Sequence, residues 1–433
     1  MMRINLPLVS ILLFACGCSQ TRAPGEYELK TNVLAERYVK LVLAMEHHDP
    51  GYVDAYYGPD NWQTEITNNP WLLEDVVREA DSLELLLAGI IPDKDEFSQL
   101  RHTYLNGQIQ AVRFRAEMLS GKSASFDEES QGLYDATAPT RTAAYYDSVL
   151  QELDVLLPGT GTIPDRYRAF QTQFEIPSER LAEVLDRVIA DARQRTSNHL
   201  RLPKDETFEL EFVTDKSWSG YNWYKGNAVS LIQINTDQPS RIDRALDLAC
   251  HEGYPGHHVY NTLLESEMYS KQGWVEYSVY PLYSPQSLIA EGTANAGIDL
   301  VFPPEARLKY EREVLYPLAG LDPSQAADYR TVQEVVRKLR YARVDAARAL
   351  LDETMSENET VDWLMKYSLY TESRARQSIA FFRTYRSYII NYSLGQDLVE
   401  DWLDRQAGDN SNQRWNAFGN LISSPRLPGG LID

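Results

Sequence analysis

Apolar residues recur every three or four positions along most of the chain, which is the spacing of one face of an α-helix. This pattern predicts a mainly α-helical protein. Two stretches, Thr207–Val213 and Ala228–Asn235, instead alternate apolar and polar residues, as half-buried β-strands do. A small sheet is therefore expected before the helix that ends at Glu252. The predicted helices are Val33–His48, Leu73–Leu87, Glu96–Leu119, Ser178–Leu200, Arg241–Glu252, Ala326–Asp352 and Arg374–Arg405.

Two segments rich in glycine, serine, proline and acidic residues, Gly121–Gly132 and Pro158–Asp165, are expected to be loops or lobe boundaries. The chain shows no internal repeat. We expect a single unit over residues 29–433, which the second segment would divide into a helical lobe, residues 29–160, and a further lobe, residues 161–433.

Composition and charge narrow the class of protein. A chain of 433 residues that is 43% hydrophobic can bury a large core, which excludes disorder and disulfide-stapled mini-proteins. The 42 Lys and Arg against 63 Asp and Glu give a net charge of −21, and no basic block offsets it. This field repels phosphate backbones, so we expect no nucleic-acid partner.

The N-terminus has the pattern of a bacterial export signal. The apolar run Leu6–Ala15 is too short to span a bilayer and is typical of a signal peptide, predicted over residues 1–17. The small residues and cysteines that end it resemble a lipoprotein cleavage box, with Cys18 as the lipidated residue. Cys16 is the alternative, and a plain secretory signal is the other interpretation.

The resemblance to a cleavage box implies an envelope protein whose lipid anchors it to a membrane, with the outer membrane and a periplasm-facing body as the expected location. Residues 18–28 are polar and contain proline and glycine, so we expect them to tether the lipid to the body. After cleavage at Cys18 the only other thiol is Cys250, and no disulfide is expected.

The strongest chemical signal is HEGYPGHH, in which three of the seven histidines fall within eight residues. Imidazole is a common zinc ligand, and a carboxylate beside the first ligand, as in Glu252, can act as a general base on water. The usual HExxH spacing is absent, because the position four after His251 is Pro255. On an unbroken helix His251 and His258 would lie about 10 Å apart, too far for one ion.

A metal site therefore requires that the helix be disturbed within this string. Pro255 lacks the N–H of a helical residue and Gly256 tolerates unusual dihedral angles, so the sequence supplies the disturbance where it is needed. A widened turn would bring His257 to the metal, whereas a helix that ends at Tyr254 and restarts would bring His258. Geometry alone leaves both alternatives open.

HEGYPGHH, followed by AEGTANAG and then YSLG, resembles the bacterial domain of unknown function 885 family, and the resemblance covers most of the mature chain. That family contains many lipoproteins and is grouped with the gluzincin metallopeptidases. The resemblance implies a mainly α-helical fold with a small sheet beside the active-site helix and a deep cleft. It also implies a zinc ion held by His251, His257 and Glu291, with Glu252 as the general base.

Further residues follow from the resemblance. The string GHHVY is similar to the GHxLY pattern of carboxypeptidase-Taq-like enzymes, which favours His257 over His258 as ligand. Tyr392 of YSLG matches a tyrosine placed to hydrogen-bond the tetrahedral intermediate. The chain departs from the pattern just before it, since Tyr388 and two isoleucines replace the usual glutamine.

Substrate contacts are expected at the strand before the active-site helix and within the histidine cluster. The strand Ala228–Asn235 would be a sheet edge that binds a peptide backbone by β-addition, with Tyr224, Asn235 and His258 as substrate-binding residues. Tyr221 and Trp223 precede this strand with Tyr224, and the three aromatic side chains either line the cleft or pack in the core.

Several nearby groups have a simpler interpretation. Cys250 would diverge from His251 by about 100° on a helix, which favours a small core residue over a structural metal ligand. Asp247, one turn before His251, either orients that ligand or is a solvated carboxylate. His102, in an amphipathic helix with His47 and His48 in another, is expected to be solvated or satisfied in the core.

These patterns together predict a zinc-dependent hydrolase that acts on peptide bonds. The competing class is a non-catalytic lipoprotein that keeps the fold and captures peptides or envelope partners. Retention of Glu252 together with the three ligand residues disfavours this class, because a binding protein has no need of a general base. Endopeptidase and exopeptidase action are not distinguished at this level.

Overall fold

The computed structural model describes residues 25–216 and 218–432, which form a mainly helical body with two small sheets. The predicted fold class, mainly α with a minor sheet, is confirmed. The strands are β1 Val53–Tyr56, β2 Thr207–Val213, β3 Gly220–Gly226, β4 Val229–Asn235 and β5 Val279–Pro281. The α-helices are α1 Glu26–Met45, α2 Asp60–Asn68, α3 Leu73–Ala88, α4 Glu96–Leu119, α5 Phe126–Tyr134, α6 Ala143–Leu156, α7 Ile163–Gln171, α8 Ser178–Ser197, α9 Ile242–Leu248, α10 His257–Leu264, α11 Pro285–Val301, α12 Pro304–Tyr310, α13 Tyr316–Ala319, α14 Ala326–Arg337, α15 Ala342–Leu351, α16 Glu357–Tyr367, α17 Glu372–Tyr385, α18 Ile390–Ala407 and α19 Ser411–Leu421.

The three-stranded sheet has the order β2, β4, β3, with β2 parallel and β3 antiparallel to β4. The strand predicted at Ala228–Asn235 is therefore real, but it is the central strand, and the prediction that it forms a sheet edge is wrong. Both of its sides are already hydrogen-bonded, so β4 has no free backbone groups to offer a peptide. The alternation of apolar and polar residues reports burial on one face and does not report strand order.

The two-stranded sheet joins distant parts of the chain. β1 pairs antiparallel with β5, and the same region contains a fully buried ion pair in which Arg101 Nε lies 2.6 Å from Glu276 Oε1. Because an isolated buried charge is costly, each of these two residues requires the other. The pair fixes α4 against the segment that leads into β5.

The segment predicted as a loop at Gly121–Gly132 contains the start of helix α5, which is a correction. Ser125 accepts a hydrogen bond from the backbone N–H of Glu128, whose carboxylate in turn accepts from the backbone N–H of Ser125. This reciprocal arrangement is a capping box, and it starts a helix in a segment whose composition is typical of loops. The second predicted loop likewise ends early, because α7 begins at Ile163 with Thr162 as its N-cap.

Two predicted long helices are each broken in the structure. Ala326–Asp352 is divided into α14 and α15, and in the turn between them Arg340 and Tyr341 both hydrogen-bond Asp397. Arg374–Arg405 is divided into α17 and α18 by a 3₁₀ turn that begins at Arg386. Apolar spacing continues across both breaks, so it does not mark where either helix ends.

Close backbone contact joins α11 and α18 at the centre of the body. A Cβ atom on Gly292 would lie 2.4 Å from the carbonyl oxygen of Gly395, so glycine is required here. The contact holds two helices at nearly the closest separation that a polypeptide permits. Both helices carry residues of the site described next.

Candidate metal centre

The two histidines of the site come from two helical segments separated by a sharp break. Helix α9 widens into a π-helical turn at Ala249–Gly253, which contains His251, and α10 begins at His257. Gly256 lies against the first segment so closely that a Cβ atom would be 1.8 Å from the carbonyl oxygen of His251. The break therefore contains both a widened turn and a restart, and it brings the rings of His251 and His257 together, with their centroids 4.7 Å apart and their planes perpendicular.

Glu291 on α11 completes a cluster of three residues whose side chains can bind a metal ion. The Nε2 atoms of His251 and His257 lie 3.1 Å apart, and Glu291 oxygens lie 3.2 Å from the first and 3.8 Å from the second. Ligands about 2.1 Å from one tetrahedral ion are separated by about 3.4 Å, so the three residues fit a zinc-sized ion. Glu291 Oε2 is buried and accepts no hydrogen bond from the described residues, as expected of an atom that needs a cation.

Electrostatics favour a charged cluster. Burial opposes ionisation of Glu291, but the adjacent side chains of His251 and His257 hold the pKa of its carboxyl well below the ordinary value. Burial likewise opposes charge on His257, yet Glu291, Glu252 and Asp54 raise its pKa to about 9. The cluster therefore holds an ionised carboxylate beside a positive charge. A bound metal cation could supply that positive charge in place of a protonated histidine.

Two residues outside the predicted set orient the ligands. Asn295 Oδ1 lies 3.0 Å from His251 Nδ1, so this amide accepts the Nδ1–H proton and leaves Nε2 free for a metal. The Asn295 Nδ2 group donates to the backbone oxygen of Tyr392, and the hydroxyl of Tyr388 donates to Glu291 Oε1 at 2.9 Å. Tyr388 therefore contacts the third candidate ligand.

Asp247, considered as the partner of His251, is engaged elsewhere. Its Oδ1 lies 2.8 Å from Arg307 Nη1, and the charge of that arginine offsets the effect of burial and lowers the pKa of the Asp247 carboxyl. The orienting group is Asn295 instead, one helical turn after Glu291. Cys250 is fully buried, and burial raises its thiol pKa, so it is the small core residue that was expected.

His258 faces away from the metal cluster. Its ring is buried between Ser230 Oγ, 2.8 Å from Nδ1, and Glu206 Oε2, 2.9 Å from Nε2. Glu206 also accepts hydrogen bonds from Tyr254 and Arg193. The prediction that His258 binds substrate is therefore wrong, because both of its ring nitrogens are occupied within the core.

Glu252 lies against the edge strand β3. A Cβ atom on Gly220 would be 2.8 Å from Glu252 Oε1, and Asn222 donates to the backbone oxygen of Glu252. The Glu252 side chain is buried and forms no hydrogen bond with the described residues, and burial raises the pKa of its carboxyl. Such a carboxylate has the environment that a general base near neutral pH requires.

Tyr392 is half-buried one turn after Tyr388, and the two ring centroids are 5.8 Å apart. Burial and the nearby charge of Glu291 raise the pKa of its phenol well above the ordinary value, so it remains protonated. Its hydroxyl forms no hydrogen bond with the described part of the chain. A free, neutral O–H donor therefore lies beside the cluster.

The other two predicted substrate contacts are corrected. Tyr224 is buried, and its hydroxyl donates to Glu265. The amide of Asn235 donates to the backbone oxygens of Lys216 and Trp218, so it stabilises a turn. Aromatic content and strand position alone did not separate these structural roles from binding roles.

Sequence reasoning missed Asp54 on β1. Its carboxylate accepts a hydrogen bond from Tyr221 of the edge strand β3. Burial raises the pKa of Asp54 to about 6, with His257 and the carboxylates of Glu291 and Glu252 among the charges that act on it. No local motif marks this residue, which lies almost 200 positions before the histidine cluster.

The predicted lipidation site, Cys18, lies outside the described residues, as does the alternative, Cys16. Among the described helices, none combines the length and apolar character that a bilayer crossing requires.

Comparisons with solved structures identify proteins of similar fold. A candidate lipoprotein from Colwellia psychrerythraea aligns with a TM-score of 0.52 and 16% identity over 86% of this chain and 71% of its own. A candidate lipoprotein of unknown function from Shewanella oneidensis aligns with a TM-score of 0.46 and 11% identity, over 86% of this chain and 75% of its own. A carboxypeptidase from Deinococcus radiodurans aligns with a TM-score of 0.38 and 13% identity, over 93% of both chains.

No family model and no curated protein matches the chain. The Colwellia protein therefore has a fold similar to that of this chain.

Proposed function

We propose that this protein is a zinc-dependent peptidase of the bacterial cell envelope. The observation that carries the proposal is the cluster of His251, His257 and Glu291, with a buried glutamate oxygen that accepts no hydrogen bond within residues 25–216 and 218–432. The resemblance of HEGYPGHH to the domain of unknown function 885 family supports the same conclusion. When bound, zinc would activate water and polarise a scissile carbonyl.

The residues around the ligands supply the remaining chemistry. Glu252 is a buried carboxylate with no hydrogen-bond partner among the described residues, so it can accept a proton from the attacking water and pass it to the leaving amine. Tyr392 presents a neutral O–H that can donate to the oxygen on which negative charge develops. Asn295 and Tyr388 keep the ligands oriented.

The test combines metal analysis with digestion of a peptide library. The zinc-loaded protein should cleave peptides, a chelator should stop cleavage, and added zinc should restore it. Glu252→Gln should retain zinc but lower kcat by about 10²–10⁴-fold. Loss of zinc from that variant would show that Glu252 is a ligand. If the zinc-loaded protein cleaves no peptide, the function is that of the non-catalytic binding lipoprotein.

We also propose that Cys18 carries the lipid that anchors the protein to the membrane. The N-terminal pattern supports this assignment, as do the names of the Colwellia and Shewanella proteins of similar structure. Cys18→Ala should release the full-length protein from the membrane fraction, and Cys16→Ala is the matched control that should leave it there. The opposite outcome would assign the lipid to Cys16.

A further inference from the structure

Exposed apolar side chains occur together near the start of α1 and the end of α3. Leu29 and Val33 on α1 are 55% and 62% exposed, Leu86 on α3 is 45% exposed, and Ile91 just after α3 is 87% exposed. Single exposed apolar residues are common on soluble proteins, whereas a contiguous group of them marks an interaction surface. These four residues are therefore informative only if they adjoin one another.

Contacts between the two helices fix how they are aligned. In the second half of α1, the Arg37 guanidinium donates to Ser82 Oγ on α3 at 3.1 Å. At the beginning of α1, a Cβ atom on Gly25 would lie 3.8 Å from Asp93 Oδ2, in the segment that follows α3. The two helices therefore run antiparallel, with the start of α1 beside the end of α3.

This alignment brings the four apolar residues together. Val33 is one helical turn before the arginine of that contact and Leu86 is one turn after the serine, so the two residues are neighbours across the helix pair. Leu29 is one further turn towards the start of α1, and Ile91 is two residues before the aspartate. The four side chains form one exposed surface, the apolar patch.

The apolar patch lies close to the proposed lipid anchor. Cys18 is seven residues before Gly25, and Leu29 is one helical turn after it. Because an extended chain covers at most about 3.6 Å per residue, a lipid on Cys18 is attached within about 25 Å of Gly25. The membrane that holds this lipid is therefore within reach of the apolar patch.

We propose that the apolar patch lies against the surface of that membrane, with its side chains among the lipid headgroups. This proposal rests on the proposed lipid anchor and adds an orientation to it, in which the start of α1 faces the membrane. Apolar side chains at a membrane surface insert about 5–10 Å into the boundary between headgroups and acyl chains. With a net charge of −21 the protein is repelled by anionic lipids, so the contact depends on apolar area and should resist added salt.

The lipidated protein in vesicles tests this orientation. Cys18 carries the proposed lipid and Cys250 is fully buried, so a cysteine introduced at the surface can be labelled selectively with a fluorophore. Ile91→Cys is compared with Val155→Cys, the matched control, because Val155 is 85% exposed and its helix α6 packs against α14 and α16. In vesicles of phosphatidylcholine and phosphatidylethanolamine with spin-labelled headgroups, the Ile91→Cys label should lose about half of its fluorescence and the control label almost none.

Charged substitutions then assign the effect to the apolar patch. Val33→Glu together with Leu86→Glu, added to Ile91→Cys, should reduce the quenching to the level of the control, because a carboxylate does not enter the headgroup boundary readily. Leu156→Glu, at another exposed apolar position, should leave the quenching unchanged. Both sites of substitution are exposed, so thermal melting should show that each variant remains folded.

Three results would overturn the membrane contact: equal quenching of the Ile91→Cys and Val155→Cys labels, quenching that survives the two glutamates, or energy transfer between Ile91→Cys labels without quenching by lipid. The last result would show that a second copy of the chain covers the apolar patch. Mass spectrometry of Cys18 separates this proposal from the anchor. A protein without the lipid whose Ile91→Cys label is quenched refutes the anchor and keeps the contact, whereas a lipidated protein whose label is unquenched refutes only the contact.

Discussion

Two neighbouring histidines, His257 and His258, belong to two different sites. Both sites combine imidazole with a buried carboxylate, but they differ in whether all of their polar atoms are hydrogen-bonded. His257 joins His251 and Glu291, where a buried carboxylate oxygen accepts no hydrogen bond from the part of the chain that the structure describes. His258 joins Ser230 and Glu206, where both ring nitrogens are hydrogen-bonded. The comparison shows that residue type does not distinguish a metal site from a structural network. The distinction is whether the protein itself completes the hydrogen bonds.

The largest expected effect is on zinc content, at the cluster of His251, His257 and Glu291. His257→Ala removes one of three ligands, so the purified variant should contain almost no zinc, whereas the unsubstituted protein should contain about one per chain. Elemental analysis provides the measurement. His258→Ala is the matched control and should keep its zinc when folded. The reverse result would mean that the restart of the helix presents His258 to the metal.

The second site is expected to control folding stability. His258→Ala leaves the buried hydroxyl of Ser230 without its partner and removes one of the hydrogen bonds to the buried Glu206, so the free energy of unfolding should fall by about 2–4 kcal/mol. Denaturant unfolding of the metal-free proteins measures this without interference from zinc. His257→Ala, compared under the same conditions, should lose less stability. An equal loss in both variants would contradict the contrast between the sites.

Loss of the hydrogen bond that orients His251 is expected to have a smaller effect on zinc binding than loss of a ligand. Asn295→Ala removes the acceptor that holds the His251 ring, so zinc affinity should fall about 10–100-fold while the ligands remain. Competition with a chromogenic chelator measures the affinity. Asn295→Asp retains an acceptor oxygen and should bind zinc more tightly than the alanine variant. Unchanged affinity in Asn295→Ala would remove this residue from the metal centre.

The hydroxyl of Tyr388 is expected to contribute less. Tyr388→Phe removes one hydrogen bond to Glu291 Oε1, which should weaken zinc binding by about 1 kcal/mol, roughly fivefold. The same competition assay applies. Tyr385→Phe, at the end of α17, is the control and should leave the affinity unchanged. A larger loss in the control would show that aromatic packing, and not the hydrogen bond, is responsible.

The smallest expected effect is a pH dependence that belongs to the second site. Burial opposes ionisation of Glu206, but hydrogen bonds from His258, Tyr254 and Arg193 hold its pKa below the ordinary 4.5. The stabilisation is therefore present above pH 4.5 and is lost as the pH falls through the folded value. Below pH 4.5 the melting temperature should fall more steeply for the unsubstituted protein than for Glu206→Gln. Parallel curves would contradict this assignment.

Local sequence was sufficient for most of the helices and for the two histidines of the candidate metal cluster. Apolar spacing identifies helices because each buries one face, and HEGYPGHH marks a ligand group because imidazoles are otherwise rarely so concentrated. Helix geometry alone did not decide between His257 and His258, and only the resemblance to the GHxLY pattern favoured His257. That choice depends on Ser230 and Glu206, which approach His258 only through the sheet and lie 28 and 52 residues away in the chain.

The remaining errors have the same cause. Ala228–Asn235 alternates as an edge strand would, but its position between β2 and β3 is a property of pairing across the chain. Asp54, Tyr388 and Asn295 reach the site from separate elements, and each is an ordinary residue in its own segment. Helix breaks were missed where a distant side chain, such as Glu129 at Arg386 and Ser387, stabilises the turn.

The contact between Gly292 and Gly395 has a dynamic consequence. Because the two backbones touch, α11 and α18 cannot slide or separate without loss of the whole contact, so Glu291, Tyr388 and Tyr392 must move as one rigid body. Any opening motion at the metal centre would then displace the β3 side instead. Amide hydrogen exchange should be slowest along α11 and α18, with protection that approaches that of global unfolding, and faster along β3.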